Sequence, residues 1–401
     1  MQNDIAIYTL TSALHDEQSV KQQTEDFLES IGMGEALQGP DFTTYGSHAL
    51  DVIYVRTGGT EGIFNQLLPQ LKKQSSQPFF LLTSGKSNSL AASMEILSFL
   101  RQRGEKGEII HGEPTDVKQR ITSLSIVGKA IKKVDGSRLG IIGAPSDWLI
   151  ASNYDPSKVK ERLGIDLVDI PMDELQENIR NTPIETPPLK ASSSVVQMAL
   201  PGAFQIYKGL QKLLNNSDLQ GFTIRCFDLL KSMENTGCYA LAQLNASGYV
   251  ATCEGDVPAM LSMYIAKHLI GVSGFQANPS QINPSKGEMI FAHCTIPFDM
   301  VSKYELDTHF ESGVGVGIKG YMPQGDITIF KVSGNLDRYF IAEGTLLDNL
   351  SKKDLCRTQV LVKLDDSSQY DYFLTNPIGN HHVILPGHHR ALLETFMKYG
   401  L

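Results

Sequence analysis

The sequence has little cysteine and little positive charge. Its five cysteines are odd in number, and none forms a CxxC pair, so a disulfide framework is disfavoured and free thiols in a reducing compartment are expected. Lysine and arginine total 35 against 44 aspartate and glutamate, which gives a formal net charge of −9. No basic run reverses this charge locally. Such a surface disfavours non-specific binding to nucleic acid or to an anionic membrane.

Long apolar runs are also lacking. No stretch approaches the roughly 18 uninterrupted apolar residues of a transmembrane helix. The first 30 residues have neither the basic start nor the apolar core of a secretory signal. We therefore expect a cytoplasmic protein with neither a membrane nor a nucleic acid as partner.

What is present is ordinary globular composition over 401 residues, with 41% hydrophobic and 20% charged residues. At about 150 residues per domain, this length predicts two or three domains.

The order of apolar runs predicts an α/β fold. In residues 1–135 short apolar strands alternate with helical patterns, which is typical of a Rossmann-like parallel sheet covered on both faces. Residues 136–275 repeat this alternation and predict a second Rossmann-like domain. In residues 276–401 period-2 runs alternate with glycine turns, which indicates antiparallel sheet, a small β-barrel, before a final helix.

Three local patterns each predict a specific structure. The helical pattern of 191–214 is expected to break at Pro201. The apolar run 222–230 is expected to be a strand. The segment 308–320 contains a GxGxxG match, but it lies among strands, so a glycine-kinked barrel hairpin or a loop over the site is expected rather than a dinucleotide site.

Carboxylates and histidines carry the clearest chemical signal. Glu254 and Asp256 lie where an apolar strand runs into a helix, and a carboxylate there costs desolvation energy unless a partner or a metal satisfies it. For Asp256 a helix N-cap is an equally simple role. His293 lies inside an apolar strand, where it is either a site residue or a satisfied core histidine, and His381 precedes another such run.

A glycine-rich turn is one further candidate binding site. The turn VRTGGTEGIF (55–64) follows an apolar strand and precedes a helix. It either offers backbone N–H groups to an anion or to sugar hydroxyls, or it simply needs glycine for positive φ. It matches neither a Walker A loop nor a dinucleotide fingerprint.

Three long segments and two shorter ones form one pattern: CYALAQLNASGYVATCEGDVPAMLSMYIAKHLIG, FQANPSQINPSKGEMIFAHCTIP and NPIGNHHVILPGHHRALLETFMKYG, with RTGGTE and LLTSGKSNSLAASMEIL more weakly. Taken together, these segments resemble the L-fucose isomerase and L-arabinose isomerase superfamily. The resemblance covers most of residues 50–400 in order. It implies two Rossmann-like domains and a β-barrel, a cytoplasmic aldose–ketose isomerase that uses Mn²⁺ or a similar ion such as Mg²⁺, and a homo-oligomer, trimer or hexamer, with active sites near subunit contacts.

The resemblance also implies roles for single residues. Glu254 matches a metal-binding glutamate that doubles as an acid–base group, and His381 matches a metal-binding histidine. Asn278 stands where the family has a second metal-binding aspartate. An amide oxygen still ligates Mn²⁺ or Mg²⁺, but it has no negative charge and cannot act as a base. One acid–base role must then move elsewhere, and Asp256 and His293 are the nearest catalytic candidates.

Three more residues are candidate substrate contacts. Trp148, the only tryptophan, could stack on a sugar face or pack in the core. Arg56 could bind a sugar or a phosphate across a subunit boundary, or form a structural ion pair. His309 begins the glycine-rich segment that could cover the site.

The function that follows is an intramolecular oxidoreductase, a metal-dependent aldose–ketose isomerase with an enediolate mechanism. Asn278 keeps two alternatives open: a carbohydrate epimerase or lyase of the same fold, which needs only one carboxylate, and a sugar-binding protein without catalysis.

Overall fold

The computed structural model describes residues 4–191 and 193–401. Its chain divides into two compact units: one runs up to Lys132 and includes Thr395–Gly400, and the other comprises Lys133–Glu394 with Leu401. The predicted domains 136–275 and 276–401 both lie largely in the second unit. The boundaries of the three predicted domains therefore stay a prediction.

The first unit is built on a five-stranded parallel sheet in the order β2-β1-β3-β4-β5. Its elements, in chain order, are β1 (Ile5–Leu10), α1 (Glu17–Ser30), β2 (Leu37–Gly39), β3 (Leu50–Val55), α2 (Glu61–Gln74), β4 (Phe79–Leu82), α3 (Ser89–Gln102), β5 (Gly107–Ile110) and α4 (Pro114–Val134), the last of which contains the boundary between the units. Apolar side chains of α2 and α3 pack on one face of the sheet and those of α1 and α4 on the other. Burial on both faces explains why these strands are continuous apolar runs.

The second unit begins with a four-stranded parallel sheet in the order β7-β6-β8-β9. Its elements are β6 (Arg138–Ile142), α5 (Pro156–Leu163), β7 (Asp166–Ile170), α6 (Met172–Arg180), α7 (Ser194–Ser217), β8 (Gly221–Ile224), α8 (Asp228–Met233), α9 (Cys238–Ala246), β9 (Val250–Cys253) and α10 (Val257–Ile270). Helix α10 is apolar on almost every side, and it is buried because it contacts β9 as well as two strands of the following barrel.

A closed six-stranded antiparallel barrel completes the second unit, in the order β10-β11-β16-β15-β14-β17. The elements are β10 (Phe275–Asn283), β11 (Glu288–His293), β12 (Lys303–Asp307), β13 (Gly317–Tyr321), β14 (Gly325–Val332), β15 (Tyr339–Asn349), β16 (Thr358–Leu364), α11 (Tyr370–Thr375) and β17 (His382–Pro386). Helix α12 (Arg390–Tyr399) follows, and its residues from Thr395 onward belong to the first unit. Two parallel-sheet layers followed by an antiparallel barrel confirm the predicted fold class.

Two local predictions were wrong, and one alternative for a third segment is excluded. Helix α7 continues through Pro201, because buried residues such as Val196, Leu200 and Ile206 on both sides of the proline pack into one core. The run 222–230 is a strand only up to Ile224, and its last three residues start α8. The segment 308–320 is not a barrel hairpin, since it leads into β13, which pairs with β12 in a separate two-stranded sheet. The alternative, a loop over the site, stays a prediction.

Among the described residues, no helix combines the length and the apolar character needed to cross a membrane.

Candidate active site and metal centre

Glu254 lies in a sharp turn at the carboxyl end of β9. Both Glu254 and Gly255 have positive φ angles, 66° and 72°, and Asp256 then caps α10 by accepting the N–H of Ala259 at 2.8 Å. A Cβ on Gly255 would lie 2.4 Å from the carbonyl oxygen of Ala144, so glycine is required there. A glutamate held in the left-handed region is strained, and such strain is concentrated at functional sites.

The barrel brings two histidines to this turn. His293 ends β11 and His381 immediately precedes β17. The Oε1 atom of Glu254 is 3.6 Å from Nε2 of His293 and 3.5 Å from Nε2 of His381. One ligand atom from each of the three buried residues lies within 4.8 Å of the other two. We call Glu254, His293 and His381 the Glu–His–His cluster.

Asp256 orients His381. Its Oδ2 atom lies 2.8 Å from Nδ1 of His381, and both side chains are fully buried. The other ring nitrogen, Nε2, has no hydrogen-bond partner among the described residues and is directed at Glu254. Metal-binding histidines are held in this way, with one nitrogen bonded to a carboxylate and the other left for the ion.

Trp148 holds the second oxygen of Glu254. The indole N–H donates to Oε2 at 2.6 Å, although the residue is 51% exposed. Its ring packs edge-on against Phe227 with centroids 4.8 Å apart, and Phe227 in turn contacts His309 at 5.5 Å. Trp148, Phe227 and His309 therefore form an aromatic row beside the cluster.

Glu254 and His381 each stabilise the charged form of the other. Burial raises the pKa of Glu254, but His381 and His293 outweigh this effect and hold that pKa well below its usual value. Burial alone would lower the pKa of His381, yet the carboxylates of Glu254 and Asp256 raise it to about 9. At His309 the compensation is too weak: burial and the neighbouring His293 outweigh the effect of Glu254 and lower the pKa of His309 to about 4. A cation on the His381 side of Glu254 is thus favoured by the field of the site.

Lys331 is a residue that sequence reasoning missed. It is fully buried on β14, and its Nζ atom lies 3.5 Å from Oδ2 of Asp256. The available signal was a lysine inside the apolar run GDITIFKV (325–332), where a charged side chain needs a partner.

The remaining candidate residues lie in different places. Asn278 on β10 accepts a hydrogen bond at Oδ1 from the amide of Asn380, at 3.1 Å, which places it next to the segment that carries His381. Arg56 belongs to the first unit, where its guanidinium donates to the hydroxyl of Thr11 at 2.6 Å. In the adjacent glycine turn, the N–H of Gly58 donates to the carbonyl of Ser87, so at least this donor is used within the fold.

These donors fit a divalent metal ion. One carboxylate and two imidazoles suit Mn²⁺, Fe²⁺ or Zn²⁺, and the unpartnered Nε2 of His381 is the kind of buried polar atom that an ion would satisfy. Among the described residues this is the one group of three or more His, Cys, Asp or Glu side chains with ligand atoms so close together.

Comparison with known proteins supports the resemblance described above. No protein-family model matches the chain. The sulfoquinovose isomerase of Priestia megaterium is 22% identical over 283 residues, which cover 65% of this chain and 63% of that protein. The sulfoquinovose isomerase of Clostridium sp. (strain MSTE9) is 24% identical over 300 residues, with 69% and 66% covered. The match thus spans less than two thirds of each relative's length. These similarities confirm the resemblance to the L-fucose and L-arabinose isomerase superfamily, of which the sulfoquinovose isomerases are members.

Proposed function

We propose that this protein is a divalent-metal-dependent aldose–ketose isomerase. The observation that carries the proposal is the buried Glu–His–His cluster at the junction of a parallel sheet and a barrel. Support comes from the curated relatives, which are named as isomerases of a sugar.

In this proposal Glu254, His293 and His381 hold the ion, and Asn278 adds a neutral amide oxygen. Mn²⁺ is the proposed ion, with Mg²⁺ as the second choice. The bound ion would polarise the sugar carbonyl and stabilise negative charge on the enediolate oxygens.

The chain itself moves the proton between C1 and C2. Glu254 is the proposed acid–base group, since its carboxylate is ionised, belongs to the cluster and is partly accessible, with 11% of the side chain exposed. Asp256 is fully buried, and its two oxygens are engaged by Ala259, His381 and Lys331. We therefore propose that Asp256 positions His381, instead of the direct catalytic role expected from the sequence.

The aromatic row is the proposed wall for the sugar. Half of the Trp148 surface is exposed next to Glu254, and an indole face offers a flat apolar surface to the C–H groups of a pyranose or an open-chain sugar. His309 is the proposed neighbour at the far end of the row. The predicted contact of Arg56 with substrate stays a prediction, as do the homo-oligomer and the cytoplasmic location.

Sulfoquinovose, the sugar in the relatives' name, is the first substrate to test. Metal-stripped protein would be loaded with Mn²⁺ and incubated with sulfoquinovose and with a panel of common aldoses, and ketose formation would be followed by NMR. We expect a metal-dependent ketose product from at least one sugar. Glu254→Gln should abolish it, whereas Glu305→Gln, a change at an exposed glutamate on β12, should not.

Asn278 is the reason to consider a second candidate function. With one ligand carboxylate instead of two, an epimerase or a lyase acting on a carbohydrate is the alternative chemistry, and binding without turnover is the other. The same NMR experiment in D₂O separates them: deuterium at C2 without ketose indicates epimerisation, a cleaved product indicates a lyase, and ligand binding with no product indicates a sugar-binding protein. Any of these three results would overturn the isomerase proposal.

A further inference from the structure

Among the described lysines and arginines, Lys331 is the one whose side chain is completely buried. Transfer of an ammonium group into a protein interior is costly unless a counter-charge is in contact with it. Asp256, equally buried, supplies that charge at 3.5 Å from the Nζ atom. The other charged or titratable neighbour on β17, His382, offers no compensation, because its ring nitrogens face Tyr372 and the carbonyl of Asn380.

The ion pair is connected directly to the Glu–His–His cluster. The Asp256 atom that faces Lys331 is Oδ2, and the same atom receives the Nδ1 side of His381 at 2.8 Å. The other oxygen, Oδ1, is fixed by the N-terminus of α10. One carboxylate therefore links a lysine on β14, a helix start and a histidine of the cluster.

We propose that Lys331 is a positioning residue of the metal centre. It holds Oδ2 of Asp256 in the place where that oxygen fixes His381 with its Nε2 atom toward Glu254. The inference rests on the proposed function, since it assumes that the cluster binds a divalent ion.

Two features of the geometry support this role over a purely structural one. A helix N-cap needs only Oδ1, so the cap alone does not explain a buried cation at Oδ2. Stability alone does not require the pair, because replacing both partners of a buried ion pair by apolar residues is often neutral or stabilising. We therefore assign to Lys331 the role of fixing the Asp256 carboxylate, and not that of packing the barrel.

The test is Lys331→Met, which keeps an unbranched side chain and removes the charge. Mn²⁺ binding to the purified full-length protein would be measured by electron paramagnetic resonance titration. We expect the dissociation constant to rise about 10- to 100-fold, as is typical when a partner of a metal ligand is lost. Circular dichroism would confirm that the variant is folded.

A double-variant comparison separates positioning from general damage. Asp256→Asn should weaken Mn²⁺ binding by itself, and adding Lys331→Met to it should cause no further loss, because the lysine acts through Asp256. Phe330→Leu is the matched control: Phe330 is buried on the same strand, with its side chain on the opposite face, and its replacement should lower the melting temperature without changing Mn²⁺ affinity.

The outcomes distinguish failure of the proposed function from failure of the inference about Lys331. Wild-type protein that binds no Mn²⁺ would overturn the metal-dependent function and this inference with it. Wild-type protein that binds Mn²⁺, alongside a folded Lys331→Met that binds it equally tightly, would overturn the inference alone. If Lys331→Met does not fold, the double variant decides: affinity equal to that of Asp256→Asn supports the inference, and a further tenfold loss contradicts it.

Discussion

At the scale of single residues, the two oxygens of Glu254 have different surroundings. Oε1 faces the imidazoles of His293 and His381, while Oε2 receives the indole N–H of Trp148 at 2.6 Å. The tryptophan would thereby leave Oε1 available to an ion in the proposed metal centre.

Trp148→Phe tests this arrangement because it keeps an aromatic ring and removes the donor. A hydrogen bond to a charged group contributes about 1.5–3 kcal/mol, so we expect Mn²⁺ affinity to fall about tenfold or more. The affinity would be measured by metal titration. Phe227→Leu serves as the control, because it removes the neighbouring ring and leaves the bond to Glu254 intact; a larger loss of affinity in this control than in Trp148→Phe would contradict the assignment.

Protons should compete with the metal at His381. The carboxylates of Glu254 and Asp256 raise the pKa of this histidine to about 9 in the metal-free protein, and only the deprotonated Nε2 can bind an ion. Apparent Mn²⁺ affinity should therefore increase about tenfold per pH unit from pH 6 toward pH 9 and then level off. Anaerobic titrations at several pH values would check this, and an affinity that is independent of pH from 6 to 8 would contradict it.

Sequence reasoning reached only part of this chemistry. Glu254 and His381 were predictable because their segments match a family pattern. The bond between Trp148 and Glu254 was not, because it joins residues 106 positions apart whose loops meet only in the folded sheet. Lys331 was visible as a charge in an apolar run, but its partner, Asp256, lies on another element.

At the scale of elements, the turn between β9 and α10 sets the geometry of the site. It joins β9 to α10 within three residues and lies directly against the loop after β6, where the N–H of Ser146 donates to the carbonyl of Glu254 at 2.9 Å. Strand β9 and helix α10 were predictable from the apolar run and from Asp256 and Gly271 at the helix ends. The left-handed backbone at Glu254 was not, since a glutamate gives no local signal for it.

Gly255→Ala should expose how tightly this turn is packed. The new methyl group would meet backbone atoms of Ala144 and Pro145, so we expect a loss of stability above about 2 kcal/mol together with loss of metal binding. Gly271→Ala is the matched control at the other end of α10: its φ is also positive, at 85°, but a Cβ there meets no atom within 4 Å. This control should cost only about 1–2 kcal/mol of backbone strain and retain the metal. Chemical denaturation measures both values, and equal losses would contradict the packing argument.

At the scale of the molecule, the second unit combines two kinds of sheet whose residues meet at one site. The parallel sheet supplies Glu254 and Trp148, and the barrel supplies His293 and His381. The order of parallel and antiparallel segments was readable from hydrophobic periodicity. Closure of the barrel between β10 and β17 joins strands about a hundred residues apart, and periodicity does not specify such a pairing.

A ligand set drawn from both sheets means that an ion should stabilise the fold. At a concentration 100 times the dissociation constant, Mn²⁺ should add about 2.7 kcal/mol to the free energy of unfolding. Scanning calorimetry should then show a higher melting temperature with Mn²⁺ than with EDTA. Glu254→Gln should remove most of this difference, and an undiminished difference in that variant would place the ion elsewhere.

The position of Trp148 has a practical consequence. It is the only tryptophan of the sequence, it is half-exposed, and its N–H is bonded to the carboxylate at the centre of the cluster. The tryptophan fluorescence of the unmodified protein therefore comes from a single indole in contact with the site. Arrival of a paramagnetic ion there would quench this emission, and a sugar covering the ring would shift its wavelength. The protein thus contains its own optical reporter of what its site holds, readable without labels.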